Sequence, residues 1–279
     1  MLLVAASRRL EDNKGMKGII LAGGTGTRLL PSTAIASKQL LPLYDRPMIF
    51  YPLNTLLMAG IKDVLIIVSP EHSGHYLNLL GSLLRSKGIN ISFVVQKEPR
   101  GLAEAFILGE DFIDREPCTM ILGDNLFEGD FSEAIQSFEQ GGRIFAKEVP
   151  DPERFGVVSF DTKTKAVRSI EEKPKQPESH FAIPGLYIYD AEVVEVAKAL
   201  TPSARGELEI VDLHNHYLRK AKLDVRVIEG AWFDVGTHDS LLDASLYVRT
   251  HKLHEAFYPP LTEALEEFKL EFKRLVSLN

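Results

Sequence analysis

Cysteine is almost missing from this chain: Cys118 is the only one in 279 residues. An internal disulfide is therefore excluded, and the usage suits a reducing compartment, so a cytoplasmic location is expected. Lying in an apolar run before Gly123, Cys118 reads as a small core residue. Positive charge is also short, with 32 Lys and Arg against 39 Asp and Glu and a formal net charge of −7. A chain of that sign offers no general surface for nucleic acid or an acidic membrane. No apolar run approaches the ~20 residues that span a bilayer. Internal repeats and low-complexity segments are lacking as well. Residues 1–15 put an apolar part before a basic one, the reverse of a secretory signal, and Glu11 and Asp12 speak against an organelle transit peptide. The expectation for 1–15 is a disordered N-terminal extension.

What is present is an ordinary globular composition, 45% hydrophobic and 25% charged, able to bury a sizeable core. Apolar runs at Gly18–Leu21, Asp63–Ser69, Ile91–Gln96 and Cys118–Leu122 have the length of buried strands. Between them, Pro47–Gly60, His72–Gly88 and Leu102–Asp114 carry apolar residues at helical spacing. This alternation predicts βαβ units and a mainly parallel sheet. Sheets of that kind bind ligands beyond the carboxyl ends of their strands, which puts Gly23–Arg28, Gln96–Gly101 and Gly123–Asp124 on one rim. From Gly142 the texture changes. Gly156–Phe160 and Ala166–Glu171 read as a hairpin, Ala182–Tyr189 as a strand, Ala191–Leu200 and Ile210–Lys220 as helices, and Val225–Ile228 as a strand. From Leu261 onward, Ala264, Leu265, Phe268, Phe272, Leu275 and Val276 share one helical face.

The densest signal is the segment Lys17–Lys38. After the first strand, Gly23-Gly24-Thr25-Gly26-Thr27 supplies three glycines in five positions. Glycine permits a tight turn and close approach to a ligand, and successive N–H groups in such a turn form an anion-binding concavity. Arg28 and Lys38 add positive charge. The segment is neither a Walker A loop, since no Gly-Lys-Ser/Thr closes it, nor a dinucleotide fingerprint, since Leu29 stands where the third glycine belongs. In a chain of net negative charge an anionic ligand must be met by locally placed cations, among which Arg28, Lys38, Lys173 and Arg205 stand out. Asp124 follows a strand and a glycine, so its carboxylate emerges at the rim. Asp234 lies between aromatic residues and Gly236. One or two carboxylates plus substrate phosphates are a common Mg²⁺ set, although either aspartate alone is more often a cap or turn residue.

The segments LAGGTGTRLLP and SKQLLPLYDRPMI are joined in order by LGDN, DPERFGVV, EEKP, PSARGELEI and WFDVGTHDSL. Together they resemble the signature of the sugar-1-phosphate nucleotidyltransferases, from Met16 to about Tyr247. The resemblance implies an α/β, Rossmann-like (GT-A-like) fold: a mainly parallel mixed sheet with helices on both faces and a smaller sugar-binding lobe. The implied division is a nucleotidyltransferase domain over 16–250, with a nucleotide-binding lobe at 16–141 and a sugar-phosphate lobe at 142–238. A C-terminal helical tail follows at 251–279. The implied substrates are dTTP and glucose 1-phosphate, with UTP as the alternative nucleotide, and the implied assembly is a homo-oligomer, dimer or tetramer.

Residue by residue, the resemblance assigns the nucleotide to Gly23, Gly24, Thr25, Gly26, Thr27, Arg28, Gln96 and Gly101. It assigns the sugar phosphate to Asn125, Gly156, Glu172, Lys173, Ile183 and Arg205. Arg28, Lys38, Asp124 and Asp234 are the implied catalytic set, with Mg²⁺ on the two aspartates. Arg100 and Pro184 depart from the pattern of the thymidylyl members, where an aspartate and a threonine are usual. A uridylyl- or other nucleotidyltransferase, and a non-catalytic nucleotide-sugar sensor on the same fold, are the competing readings. Retention of both aspartates and both loop cations speaks against the sensor.

Overall fold

The computed structural model describes residues 15–81 and 84–277; the expected extension therefore lies, but for Gly15, outside the described residues. In chain order the elements are β1 (Lys17–Ala22), the small hairpin β2 (Pro42–Leu43) and β3 (Arg46–Pro47), α1 (Phe50–Met58), β4 (Asp63–Val68), α2 (Ser73–Leu80), β5 (Asn90–Val95), α3 (Glu104–Leu108), α4 (Glu110–Ile113) and β6 (Cys118–Leu122). They continue as β7 (Asn125–Phe127), α5 (Ser132–Gln136), β8 (Gly142–Glu148), β9 (Gly156–Phe160), β10 (Val167–Glu172), β11 (Phe181–Ala182), β12 (Leu186–Tyr189), α6 (Val193–Lys198) and α7 (Ile210–Arg219). The last are β13 (Leu223–Val227), β14 (Trp232–Asp234), α8 (His238–His251) and α9 (Pro259–Ser277). Among the described residues no helix is long and apolar enough to cross a membrane.

One ten-stranded mixed sheet runs through the molecule in the order β10-β9-β11-β8-β12-β6-β1-β4-β5, with β13 on β8. Strands β6, β1, β4 and β5 are parallel, so their carboxyl ends share one rim. Their near-continuous apolar sequences follow from burial on both faces. Ile20 and Ala22 of β1 join Val64, Ile66 and Val68 of β4 in a core shared with α1, α2, α5, α8 and α9. Ile19, Leu21, Leu65 and Ile67 alternate with them and face α3, α4, α6 and α7. Helices thus cover both faces. Of the face expected on the last helix, Ala264 is fully buried and Leu265 packs against the core, whereas Phe268 is exposed.

Three elements differ from expectation, each for a local reason. The helix expected over Leu102–Asp114 is two short helices hinged at Gly109. A Cβ there would sit 3.1 Å from both the Ala105 carbonyl and Leu65 Cδ2. The helix expected over His72–Gly88 stops at Leu80, before Gly81, and a single turn at Arg85–Lys87 precedes β5. The strand expected over Ala182–Tyr189 is interrupted. Ala182 pairs with Lys147 and Tyr187 with Ile144, so this strand carries two more residues than β8 across the gap. Pro184, which has no N–H to give a ladder, lies in the middle of that bulge. Ile183 N donates to the Gly156 carbonyl at 2.7 Å, and Gly185 N to Asn125 Oδ1 at 3.0 Å.

Candidate active site

A cleft of about 500 Å³ opens along the rim where the parallel strands end. Gln96 and Gly101 line it from the first half of the chain, Glu172 and Arg205 from the second, together with Arg28 and Asp234. Gly24, Asn125, Gly156, Lys173 and Ile183 also line it. Of the expected residues, Gly23, Thr25, Gly26, Thr27, Lys38 and Asp124 do not line the cleft; they stand in the loop at its edge or behind it.

The glycine loop leaves β1 in a turn that needs its glycines. Gly26 has φ +64°, and a Cβ there would meet Thr33 Cγ2 at 2.9 Å. Its carbonyl accepts from Thr33 Oγ1 at 2.8 Å and Leu29 N at 2.9 Å. The carbonyl is thereby turned inward. The N–H groups of Gly24, Thr25 and Gly26 have no hydrogen-bond partner among the described residues. Arg28 follows on an exposed turn and reaches Gly236, where a Cβ would lie 2.5 Å from its Nη2. Lys38 is held between two fixed neighbours. Ser37 Oγ donates to Gln39 Oε1 at 2.8 Å, and the Tyr76 hydroxyl lies 2.8 Å from Ser37 Oγ and 3.3 Å from the same Gln39 oxygen.

The two aspartates meet through a short antiparallel pair. β14 lies on β7 with Asp234 opposite Asn125, and Val235 N donates to the Asp124 carbonyl at 2.9 Å. Lys38 Nζ pairs directly with Asp124 Oδ2. Burial, then the charge of Asp124, push the Asp234 carboxyl above the usual aspartate range, while Lys38, Arg28 and Arg154 pull it back; the net direction is up. A buried carboxyl raised by its neighbour's charge marks a site with unspent negative charge. A hard divalent cation fits that donor set. No group of three or more His, Cys, Asp or Glu completes a metal site among the described residues, so phosphate oxygens would have to supply the remaining positions. The capping box of α8 secures the turn after Asp234. Thr237 Oγ1 accepts from Ser240 N at 3.2 Å, and Ser240 Oγ from Thr237 N at 2.9 Å.

Much of the cleft lining comes from the second half of the chain. Glu172 closes β10 opposite Gly156 on β9. Lys173 adopts φ +45°, and its Nζ lies 3.3 Å from Glu172 Oε1. Arg205 is held by Glu209 through a bond of 2.8 Å and stands 3.8 Å from Glu172. Asn125 is buried and fully engaged on its oxygen, which accepts from Trp232 Nε1 at 2.7 Å and from Gly185 N; its Nδ2 donates to Asp124 Oδ1 at 3.0 Å.

Three cleft residues, Arg154, Trp232 and His214, and one behind the cleft, Glu104, escaped individual notice in the sequence. Arg154 donates to Asp151 at 2.5 Å and lies over the Phe155 ring; its motif was visible, but nothing in a charged turn singled it out. Trp232 orients Asn125, a role visible only once β14 is paired with β7. Glu104 is buried and bonded to Gln96 and Arg100. His214 lines the cleft, with Nδ1 2.7 Å from the Tyr189 hydroxyl and Nε2 without a hydrogen-bond partner among the described residues. Burial pulls its pKa down to about 3, so the ring is neutral.

The nucleotidyl transferase family pattern matches residues 17–251. The glucose-1-phosphate thymidylyltransferase of Mycolicibacterium smegmatis is 50% identical over 86% of this chain and 84% of its own length. That of Neisseria meningitidis is 52% identical over 84% and 83%. Among solved structures, one from Bacillus anthracis, assigned as a glucose-1-phosphate thymidylyltransferase in complex with sucrose, superposes with TM-score 0.79 and 42% identity over 84% of this chain and 95% of that one. A UDP-glucose pyrophosphorylase bound to UDP-glucose shares the fold, with TM-score 0.75 and 23% identity over 85% of this chain and 99% of that one.

Proposed function

The chain belongs to the nucleotidyl transferase family, and from that premise we propose that it is a glucose-1-phosphate thymidylyltransferase. It transfers dTMP from dTTP to glucose 1-phosphate and releases pyrophosphate. The observation that carries this reading beyond resemblance is the joining of Asp124 and Asp234 across β7 and β14. Asp234 lines the same cleft as Gly24 of the glycine loop and as Glu172, Lys173 and Arg205, which supports this reading.

A phosphate oxygen of the sugar phosphate attacks the α-phosphorus in line. The bond from that phosphorus to the bridging oxygen breaks, and its electrons leave with pyrophosphate. The nucleophile is already anionic, so the protein need not remove a proton; its contribution is position and charge. Gly24, Thr25 and Gly26 present N–H groups to the triphosphate, and Arg28 and Lys38 neutralise charge as it grows on the leaving group. Asp124 and Asp234 would hold a divalent cation, Mg²⁺ in this reading, whose contribution is to neutralise phosphate oxygens and orient the departing group. Lys173, Arg205 and Arg154 receive the sugar phosphate, and Glu172 accepts from sugar hydroxyls. Asn125, fixed by Trp232 and Gly185, offers its remaining N–H. Gln96 faces the base.

Steady-state pyrophosphate release with each substrate varied separately tests the assignment. Glu172→Ala raises the KM for glucose 1-phosphate by ~10-fold, the scale of a lost hydrogen bond to a charged group, and leaves the KM for dTTP near its parent value. A change confined to the nucleotide KM would overturn the division of the cleft. Failure to release pyrophosphate from dTTP with glucose 1-phosphate would overturn the activity.

A further inference from the structure

The base end of the cleft contains an ion pair that the reaction itself does not call for. Glu104 is 2% exposed, and both of its oxygens are occupied. Oε1 accepts from Arg100 Nε at 2.7 Å and Nη2 at 2.5 Å; Oε2 accepts from Arg100 N at 3.2 Å and from Gln96 Nε2 at 2.8 Å. A carboxylate is an acceptor only, whereas a carboxamide has one donor end and one acceptor end. Glu104 therefore decides which way Gln96 lies. Turned over, Gln96 would set its oxygen against a buried carboxylate with no proton between them, a costly arrangement at low local dielectric. In the observed orientation the oxygen points along the loop, where a Cβ on Gly23 would lie 2.4 Å from it. The backbone of Gln96 is fixed too, since its N–H donates to the Val68 carbonyl at 2.8 Å. Arg100 is tied to the second half of the chain through Leu208, whose N–H donates to the Arg100 carbonyl at 2.8 Å.

We propose that Glu104, clamped by Arg100, is a positioning residue for base selection: it fixes the Gln96 carboxamide with its oxygen toward the nucleotide. The site then accepts a pyrimidine with a ring imide N–H, thymine or uracil, and rejects cytosine, whose N3 is an acceptor. This rests on the reading that Gln96 faces the base. It also assigns a purpose to Arg100. The position takes a cation here because its neighbour one helical turn on is an anion, and the two act together on Gln96.

The test compares dTTP with dCTP in two ways: by kcat/KM for pyrophosphate release with glucose 1-phosphate, and by calorimetric binding of each nucleotide to the full chain. Glu104→Gln offers Gln96 either a donor or an acceptor and so frees its orientation. The dTTP/dCTP preference should fall by ~10-fold, the scale of misplacing one buried hydrogen-bonding group, with the change in KM and Kd rather than in kcat. Arg100→Ala, at a side chain 65% exposed, should shift the preference in the same direction by ~3-fold. It decides the matter if the buried substitution does not fold. A parent that prefers dTTP in binding but releases no pyrophosphate would overturn the enzymatic reading and leave this one standing. Folded variants whose preference is unchanged, or which lose both nucleotides equally, would overturn this one alone.

Discussion

Asp234 is held in the folded chain at a cost to stability. Its carboxyl is raised by burial and by Asp124, so between the ordinary aspartate range and the raised value the folded chain binds a proton that the unfolded chain does not. Stability must fall as pH rises through that interval. Asp234→Asn removes the effect. Without divalent cation at neutral pH the variant should melt a few degrees higher than the parent, and the gap should close as the pH is lowered through that interval. Turnover should fall by ~10²-fold or more, as when one preorganised charge-stabilising contact is lost. Thermal melts across pH and a pyrophosphate assay check both halves, and a variant no more stable than the parent at neutral pH would show that the two carboxylates do not strain one another. Asp124 was legible in the sequence because a strand and a glycine lead to it. The nearness of Asp234 was not, since it depends on two three-residue strands that carry no periodicity of their own. Gln96 was likewise legible as a rim residue, whereas Glu104 and its grip on Gln96 sit inside what reads as the polar face of a helix.

Among the elements, the turn Arg100–Ala103 is fixed by a distant segment. Gly101 has φ +100°, and a Cβ there would lie 2.4 Å from the Leu208 carbonyl oxygen and 2.5 Å from its nitrogen. Both obstacles are backbone, so neither can swing aside. Gly101→Ala combines a strained φ with that clash and should cost about 1–3 kcal/mol, lowering the melting temperature. It should also raise the KM for both substrates, because the segment it displaces, Ser203–Glu209, carries Arg205. An effect on the nucleotide alone would mean that the Leu208 contact does not couple this turn to the segment that carries Arg205. The parallel βα units were legible because their strands are apolar throughout and their helices amphipathic. The hinge at Gly109 and the interruption at Ile183–Gly185 were not, because each answers to a neighbour (Leu65 in one case, Asn125 and Gly156 in the other) rather than to its own sequence.

At the scale of the molecule, the two halves share one sheet, with β12 inserted between β6 and β8. Cutting the chain after residue 141 would strip β6 of β12 and leave an open apolar edge. Unfolding should accordingly be a single transition. Urea melts followed by far-UV circular dichroism and by the fluorescence of Trp232, the only tryptophan, should coincide; an earlier tryptophan transition would show that the second half unfolds separately. Class and layering were legible from the alternation of elements, but the continuity of the sheet was not, since strand order across the middle is set by pairings far apart in the chain. The bulge at Ile183–Gly185 adds a constraint of parity. Leu186 and Ile188 belong to one core and Tyr187 and Tyr189 to the other, and the surplus over β8 is an even number of residues. Losing one residue there would exchange the two sets across the sheet. Losing two would keep both cores intact while removing the wall of the cleft. The binding site of this fold can therefore be lengthened or shortened at this point only in pairs, and the smallest inherited change that leaves the protein folded is already large enough to change what it binds.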